Sequence, residues 1–322
     1  MSSLRFGVVM DPISDISPAK DSTLAMLLEA QSRGHELVYF EQLDLYLSDG
    51  NPMGSGRRLQ VVDELHDWCQ LGATVDMPLG DLNVILMRKD PPFDAEYIYT
   101  TYILERAELS GVMVVNRPAS LRDINEKAFT AWFAHCCPES LITRSIKRMR
   151  DFLHQHGQIV VKPLHGMGGR SIFVVNRSDN NANVIFETLT DENTRYAMAQ
   201  RYIPEISSGD KRILLVNGEP APYALARIPP PDDNRGNLVI GAQPEVRELT
   251  DRDRWICAEV GPVLKDRGVV FAGLDVIGDY LTEINVTSPT GIRELDKLAK
   301  INVAAKLMEA IEEKIGADKN AA

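Results

Sequence analysis

The sequence of 322 residues lacks the features that mark several protein classes. Its four cysteines (Cys69, Cys136, Cys137 and Cys257) include no CxxC spacing, which argues against a zinc site or disulfide framework and favours reduced thiols. No apolar run approaches the roughly 20 residues that span a bilayer. Asp11 interrupts the first apolar segment before it could act as a signal peptide. We therefore expect a cytoplasmic protein with no membrane partner.

Positive charge is also scarce, because 35 Lys and Arg residues stand against 46 Asp and Glu, a formal net charge of −11. This balance argues against a nucleic-acid-binding surface. Two nucleotide-binding motifs are missing as well. No GxGxxG follows the first apolar strand and no Gly-Lys dipeptide occurs, which excludes the dinucleotide fingerprint and the Walker P-loop. The length and a hydrophobic content of 44% are ordinary for a globular protein of two or three domains.

The first third of the chain alternates apolar strands with amphipathic helices. Strands are predicted at 4–10, 35–41, 84–87 and 112–115, with helices at 20–33 and 95–110 that end at Gly34 and Gly111. This alternation is typical of a doubly wound α/β domain. After Arg117 the pattern changes. Asp123 and Glu126 there have the capping-box spacing of a new helix, so we predict a domain boundary near residue 122.

Two apolar strands at 158–175 flank a loop that contains Gly166, Gly168 and Gly169. Such a loop offers bare backbone amides to phosphate groups. It leads back into a strand, in the manner of the flexible glycine loop that kinases fold over ATP. Lys162 lies on the strand that enters it. The alternative is an ordinary turn with no ligand.

The sharpest local signal is an acidic hairpin late in the chain. A three-residue turn would pair Asp275 with Glu283 and Ile277 with Leu281, and would place Asp275, Glu283 and Asn285 on one face. Two carboxylates about 5 Å apart repel by about 3 kcal/mol at an effective dielectric of 20. A divalent cation between them reverses that cost, and oxygen-only ligands favour magnesium. The alternative is a solvated face whose acids lean apart.

Eight runs of residues, considered together, are familiar. They are VMDPI at 9–13, KDS at 20–22, MRKDPPFD at 87–94, SLRDINEK at 120–127, KPLHGMGG at 162–169, GDKR at 209–212, LARIP at 225–229 and TEINVTSPTGIRE at 282–294. On these runs the chain closely resembles the prokaryotic glutathione synthetases of the ATP-grasp superfamily, over nearly its whole length.

The resemblance implies an α/β fold that is α+β in its C-terminal half. An N-terminal Rossmann-like, substrate-binding domain would occupy 1–122, an ATP-grasp lid subdomain 123–202, and a C-terminal catalytic subdomain 203–316, before a polar tail at 317–322. The Pro-rich stretch 228–244 is too long for an ordinary connection and would be a mobile loop that closes over the site.

The implied reaction joins γ-glutamylcysteine to glycine, with ATP cleaved to ADP and phosphate through an acyl phosphate. The implied cofactor is Mg²⁺ or Mn²⁺, and the implied assembly is a homotetramer. Two alternatives stay open, namely an ATP-grasp ligase for a different carboxylate and amine, and a catalytically silent nucleotide-binding regulator.

The resemblance also implies roles for individual residues. The ATP-binding set is Lys127, Lys162, Gly166, Gly168, Gly169, Gln200, Tyr202, Ile203, Asp210 and Asn237. The substrate-binding set is Lys20, Arg88, Ser288 and Arg293, and the metal ligands are Asp275, Glu283 and Asn285. Candidates for stabilising charge during phosphoryl transfer and at the tetrahedral oxyanion are Arg212, Arg227 and Arg235.

Overall fold

The computed structural model of the chain describes residues 3–166, 168–230 and 242–321. The described residues form three β-sheets with helices packed against them. None of the helices in this part of the chain is long and apolar enough to cross a membrane.

The first sheet has seven strands and occupies the N-terminal third of the chain. Its elements are β1 Arg5–Val9, α1 Ser22–Ser32, β2 Glu36–Phe40, β3 Leu45–Ser48, β4 Asn51–Val61, β5 Cys69–Pro78, β6 Val84–Met87, α2 Ala95–Glu108, β7 Met113–Val115 and α3 Pro118–Asp123. The strand order is β3-β4-β2-β1-β6-β7, with β5 paired to β4. Strands β2, β1, β6 and β7 are parallel, which confirms the predicted α/β alternation.

The antiparallel strands β3, β4 and β5 were not predicted from the sequence. They are hard to recognise because β5 is largely exposed on both faces and β4 contains glycines at alternate positions. The glycines have a packing reason. A Cβ atom on Gly54 or Gly56 would lie 2.7 or 2.6 Å from the ring of Phe40, so only glycine lets β4 pass under that buried ring.

Local capping explains most helix ends in this domain. The Asp21 carboxylate accepts a hydrogen bond from the Leu24 amide at 2.6 Å and so begins α1. Gly34 and Gly111 follow α1 and α2 with φ of 83° and 94°, the left-handed conformation that was predicted there.

The predicted helix capped by Asp123 is wrong. Pro118 begins a helix earlier, and Asp123 is its last residue. Asn125 then accepts hydrogen bonds from the amides of Lys127 and Ala128 and leads into a 3-10 helix, Ala128–Cys136. The capping-box spacing was therefore fortuitous, and Glu126 is left with its side chain available for another role.

The second sheet is small and antiparallel, in the order β10-β9-β11-β8. Its elements are β8 Ser140–Thr143, α4 Ile146–His156, β9 Gln158–Pro163, β10 Phe173–Asn176, α5 Ala182–Thr190 and β11 Ala197–Arg201. Helices α4 and α5 cover one face and share a separate core around Met149, Val161 and Phe186. The pairing of β9 with β10 confirms the predicted glycine-loop hairpin.

The third sheet is also antiparallel, in the order β15-β14-β12-β16-β17, with β13 paired to β12. Its elements are β12 Asp210–Val216, β13 Glu219–Pro220, β14 Tyr223–Ile228, β15 Gln243–Glu248, α6 Asp251–Asp266, β16 Phe271–Ile277, β17 Tyr280–Asn285, α7 Ile292–Ala299 and α8 Val303–Ala321. The last two helices are separate because Lys300 adopts φ 54° and ends α7.

The acidic hairpin β16–β17 has the predicted pairing at its two carboxylates but not next to its turn. Asp275 pairs with Glu283 as predicted, but Ile277 pairs with Tyr280, so the predicted pairing of Ile277 with Leu281 is wrong. The turn has two residues and begins with a glycine of φ 56°, and a bulge after Asp275 absorbs the extra residue. The bulged residue is Thr282, and this one extra residue in β17 restores the pairing of Asp275 with Glu283. The Thr282 hydroxyl donates to the Asp275 carbonyl at 3.1 Å.

The first and third sheets are joined through buried apolar clusters that contain residues from both. The buried Asn116 also connects them. Its amide donates to the carbonyls of Phe271 and Val286 at 2.7 Å and accepts from the amides of Val270 and Phe271. These two sheets form one packed body, and the second sheet stands over it with its own core.

Candidate active site

A cleft of about 600 Å³ opens where the second sheet faces the third. Most of the predicted site residues line it, although they come from distant parts of the chain. They are Lys127, Lys162, Gly166, Gly168, Gly169, Gln200, Tyr202, Ile203, Asp210, Arg212, Arg227, Asp275, Glu283, Asn285 and Ser288.

Three predicted substrate-binding residues do not line this cleft. Arg88 is buried behind it, where its guanidinium donates to the Thr23 hydroxyl and the Pro289 carbonyl, each at 3.1 Å. Arg293 pairs with Asp63 at 2.5 Å, and Lys20 is exposed.

Two further predicted residues, Arg235 and Asn237, lie outside the described residues, as does most of the loop 228–244.

Asp275 lies at the centre of one charge cluster. It accepts two hydrogen bonds from Arg212, at 2.7 and 2.8 Å, and forms an ion pair with Arg227 at 3.0 Å. Burial opposes ionisation, but the two arginines outweigh it and hold the pKa of Asp275 well below its usual value. Arg227 also donates to Asp210. Burial and the neighbouring Asp275 charge raise the pKa of Asp210, and its Oδ1 has no hydrogen-bond partner among the described residues.

Glu283 lies at the centre of a second cluster. Its Oε1 is 3.2 Å from the Lys162 ammonium and 3.6 Å from that of Lys127. Burial raises the pKa of Glu283, yet the two lysines outweigh burial and lower it overall, while burial lowers the pKa of Lys162. Lys127 also donates to the Gly166 carbonyl at 2.7 Å, which ties it to the glycine loop.

The two clusters place four buried or partly buried cations against the carboxylates of the cleft. Buried charges are costly unless they are paired, so each ion here depends on its partner. An anionic ligand that binds the lysines would release Glu283 for a cation. The cleft is therefore suited to exchange these internal ion pairs for a phosphate-rich ligand and a metal ion.

The oxygen donors on the β16–β17 face fit a hard divalent cation. Within the described residues no group of three His, Cys, Asp or Glu side chains could hold a metal ion, so a site on this face would have to add the amide oxygen of Asn285 to the two carboxylates. Its Nδ2 donates to the Gly273 carbonyl at 3.2 Å, which leaves the amide oxygen for a cation. Asp275 already accepts two hydrogen bonds from Arg212 and forms an ion pair with Arg227, and a carboxylate has about four lone-pair sites, so it has about one left to offer.

The opposite end of the cleft is more apolar. Val160, Ile203 and Ile206 line it, beside the buried Gln200. The Gln200 amide donates to the Ser140 hydroxyl at 3.1 Å, which holds the side chain in place. A flat aromatic group fits this end better than a charged one.

Sequence reasoning missed some residues of the cleft. Glu126 and Asp90 both line it, and Asp90 accepts the Ser288 hydroxyl. Both residues lie within the familiar runs SLRDINEK and MRKDPPFD, which was the available signal. Glu126 was interpreted as a helix cap instead. Only the packing of the 3-10 helix against β17 brings it to the site, where the Ile284 amide donates a hydrogen bond to the Glu126 carbonyl.

Comparison with known proteins gives a family match along nearly the whole chain. Residues 4–122 match the model of the prokaryotic glutathione synthetase N-terminal domain, and residues 126–300 match that of the prokaryotic glutathione synthetase ATP-grasp domain. The glutathione synthetase of Shewanella oneidensis is 55% identical over 97% of this chain and 99% of its own. That of Pseudomonas aeruginosa is 54% identical over 98% and 99%.

Solved structures with similar folds are more distant in sequence. The D-cycloserine synthetase DcsG superposes with a TM-score of 0.70 at 13% identity, and covers 97% of this chain and 99% of its own. The ATP-grasp ligase PsnB, in complex with a minimal precursor, Mg and ADP, gives 0.61 at 16% identity over 97% and 98%. These likenesses concern the fold, which is of the ATP-grasp type.

Proposed function

The chain belongs to the prokaryotic glutathione synthetase family, and from that membership we propose how its cleft makes glutathione. The enzyme is an ATP-dependent ligase that joins γ-glutamylcysteine to glycine. The observation that carries this assignment is near-complete coverage by glutathione synthetases about 54% identical to it. The detailed roles below are our own proposals, supported by the geometry of the cleft.

We propose that the phosphates of ATP bind Lys127 and Lys162 beneath the glycine loop. The support is the pair of ammonium groups held on one carboxylate oxygen of Glu283, close to Gly166. Gly168 and Gly169, with φ of 67° and 74°, keep the loop backbone in a conformation that other residues rarely adopt. Phosphate oxygens would replace Glu283 as the partners of both lysines.

The apolar end of the cleft is proposed to take the adenine ring, against Gln200, Tyr202 and Ile203. The ribose would lie between this end and the phosphates, beside Asp210. The unpartnered Oδ1 of Asp210 is an acceptor that a ribose hydroxyl could satisfy. Asn237 stays a proposed ATP contact outside the described residues.

Glu283, Asn285 and the remaining lone pair of Asp275 would hold Mg²⁺ or Mn²⁺. Such an ion neutralises charge on the phosphoryl group that is transferred. The fit rests on the all-oxygen donor set described above, which suits a hard cation.

In the proposed chemistry the cysteinyl carboxylate attacks the γ-phosphorus of ATP, and the bond to the β,γ-bridging oxygen breaks. The glycine nitrogen, after losing a proton, then attacks the acyl carbon. Phosphate leaves with the electrons of the C–O bond, and the nitrogen loses a second proton as the amide forms. We assign the stabilisation of charge on both transition states to Arg212 and Arg227, and the support is that both side chains line the cleft. Arg235, in the loop 228–244, is a third candidate outside the described residues.

Substrate carboxylates would be oriented by Ser288 directly and by Arg88 through the Pro289 carbonyl. Lys20 and Arg293 stay proposed substrate contacts, although neither lines the cleft.

We further propose the domain division at residues 122, 202 and 316, a cytoplasmic location and a homotetramer. The four free thiols favour a reducing compartment. Large apolar side chains are exposed near α2 and β3, including Leu43, Tyr99 and Tyr102, where another copy of the chain could cover them. Light scattering would test the tetramer, since its mass should be four times 35.9 kDa.

The function is tested by phosphate release from ATP with γ-glutamylcysteine, glycine and Mg²⁺, each omitted in turn, with glutathione identified by mass. Full dependence on every component is the expected result. Release with other acids or amines only would instead favour a different ATP-grasp ligase, and no release at all would favour a nucleotide-binding regulator.

A further inference from the structure

A small side pocket of about 40 Å³ adjoins the main cleft. Four residues line both cavities, namely Pro91, Glu126, Gly166 and Thr287, so the two spaces meet along a common wall. One water molecule needs about 10 to 15 Å³ of such volume, so the pocket has room for about three water-sized groups. That is enough for the methylene and carboxylate of a two-carbon amino acid whose nitrogen lies at the mouth.

Glu126 lies at that mouth and has one carboxylate oxygen to spare. Its Oε1 accepts the Thr287 hydroxyl at 2.8 Å, while its Oε2 has no hydrogen-bond partner among the described residues. Neither Glu126 oxygen is among the fully buried atoms left unpartnered, so Oε2 is open to the cavity. A partly buried carboxylate with a free oxygen is suited to bind a cationic group.

The walls of the pocket limit the size of its occupant. Phe93, Ile124 and Leu164 make them apolar, and the Asn125 amide is already used in hydrogen bonds to Leu164, Lys127 and Ala128. Among the described lining residues, His165 is the one side chain that can carry positive charge. The pocket therefore has an anionic hydrogen-bond acceptor, Glu126, at its mouth and apolar side walls. It also has one residue, His165, that could pair with a carboxylate.

Behind one wall of the pocket lies a buried hydroxyl, that of Tyr97, which itself lines neither cavity. Tyr97 packs against Phe93 with ring centroids 5.2 Å apart, is 1% exposed, and has no partner for its hydroxyl among the described residues. After burial, the charge of Glu126 is the largest cause of its raised pKa, so the hydroxyl lies within electrostatic reach of Glu126. Leaving such a group unpaired costs about 1–3 kcal/mol.

We propose that the side pocket binds glycine, with its ammonium group on Glu126 Oε2 and its carboxylate towards His165. This rests on the proposed function and deepens it by naming the amine subsite. Glycine held in this way has its nitrogen facing the main cleft, where the activated carboxylate would lie. A pocket of about 40 Å³ would leave little room for a side chain, which would make it a source of selectivity for glycine over larger amino acids.

The first test compares Glu126→Gln with wild type and with Glu313→Gln, a matched change on the exposed face of α8. We expect the KM for glycine to rise at least ten-fold in Glu126→Gln, with the KM values for ATP and γ-glutamylcysteine and the Mg²⁺ requirement within two-fold. An unchanged KM for glycine overturns the proposal. So does an equal rise in the Mg²⁺ requirement, which would make Glu126 a metal ligand.

A second variant tests the pocket without changing a charge. Leu164→Ala enlarges it and should raise kcat/KM for L-alanine relative to glycine about ten-fold, because one methylene is worth about 10- to 200-fold in a well-fitted pocket. An unchanged ratio overturns the pocket assignment even if Glu126→Gln is inactive. Wild type that forms no glutathione from these substrates would instead refute the proposed function, so the two failures are distinguishable.

Discussion

Asp275→Asn is the substitution for which the structure makes the most detailed prediction. Asp275 is 4% exposed, and its carboxylate accepts two hydrogen bonds from Arg212 and forms an ion pair with Arg227. An amide of the same shape removes the negative charge and turns two donor hydrogens towards guanidinium groups that also donate. Arg212 and Arg227 would then keep their charge in a buried place with Asp210 as their remaining anionic partner.

The expected loss of stability follows from breaking a buried ion pair on one side. Such changes cost about 3–5 kcal/mol, because the partner charge stays buried and unpaired. Arg227 keeps its bond to Asp210 and the cleft admits some water, so we expect about 3 kcal/mol. Turnover should fall by at least 100-fold, since both arginines lose the group that orients them at the site of phosphoryl transfer.

The measurements are urea unfolding and phosphate release at increasing Mg²⁺ concentration. The matched control is Asp279→Asn, an exposed residue in the turn of the same hairpin, which should change the free energy of unfolding by less than about 0.5 kcal/mol. If Asp275 acts mainly by orienting the arginines, excess Mg²⁺ will not restore turnover. If it acts mainly as a metal ligand, excess Mg²⁺ will restore part of it.

Near-normal turnover of Asp275→Asn at saturating Mg²⁺ would refute both roles. An unfolding free energy equal to that of wild type would refute the argument that the arginine cluster depends on this carboxylate, whatever happens to activity.

Three other substitutions test separate parts of the structure. Gly261→Ala should lower the free energy of unfolding in urea by about 1–3 kcal/mol, because its Cβ would lie 2.1 Å from the Gly218 carbonyl oxygen. In the control, Gly316→Ala, the added Cβ meets nothing within 4 Å, so this change should be neutral or stabilising. Equal effects of the two changes would contradict the close approach of α6 to Gly218. Burial raises the pKa of Asp296 to about 6, so the contribution of this one group to stability should fall as pH rises from about 4 to 6. Asp296→Asn should therefore gain thermal stability relative to wild type at pH 7.5 but not below pH 4, and a gain independent of pH would contradict this. Lys162→Met should raise the KM for ATP at least ten-fold with little change in the KM for glycine, and an unchanged KM for ATP would remove this lysine from the phosphate site.

Much of the architecture could be predicted from residues that are close in sequence. The parallel strands of the first sheet follow from apolar runs that alternate with capped helices. The opposition of Asp275 and Glu283 follows from two strands joined by a short turn, because period-two alternation determines which side chains share a face. Even there the turn was predicted one residue too long, and the bulge at Thr282 compensated for the error.

What only the tertiary structure decided is which charges meet. Lys162 and Glu283 are 121 residues apart, and Arg212 and Asp275 are 63 apart, so no local rule relates them. Their contacts depend on how the second sheet stands over the third and on the pairing of β12 with β16. Glu126 shows the same limit. Its spacing from Asp123 suggested a helix cap, whereas the packing of the surrounding elements places it between two cavities, both of which it lines. Local sequence sets the direction of each side chain along its element, but free energy gained by burying apolar faces sets how those elements stack, and that stacking assembles the site.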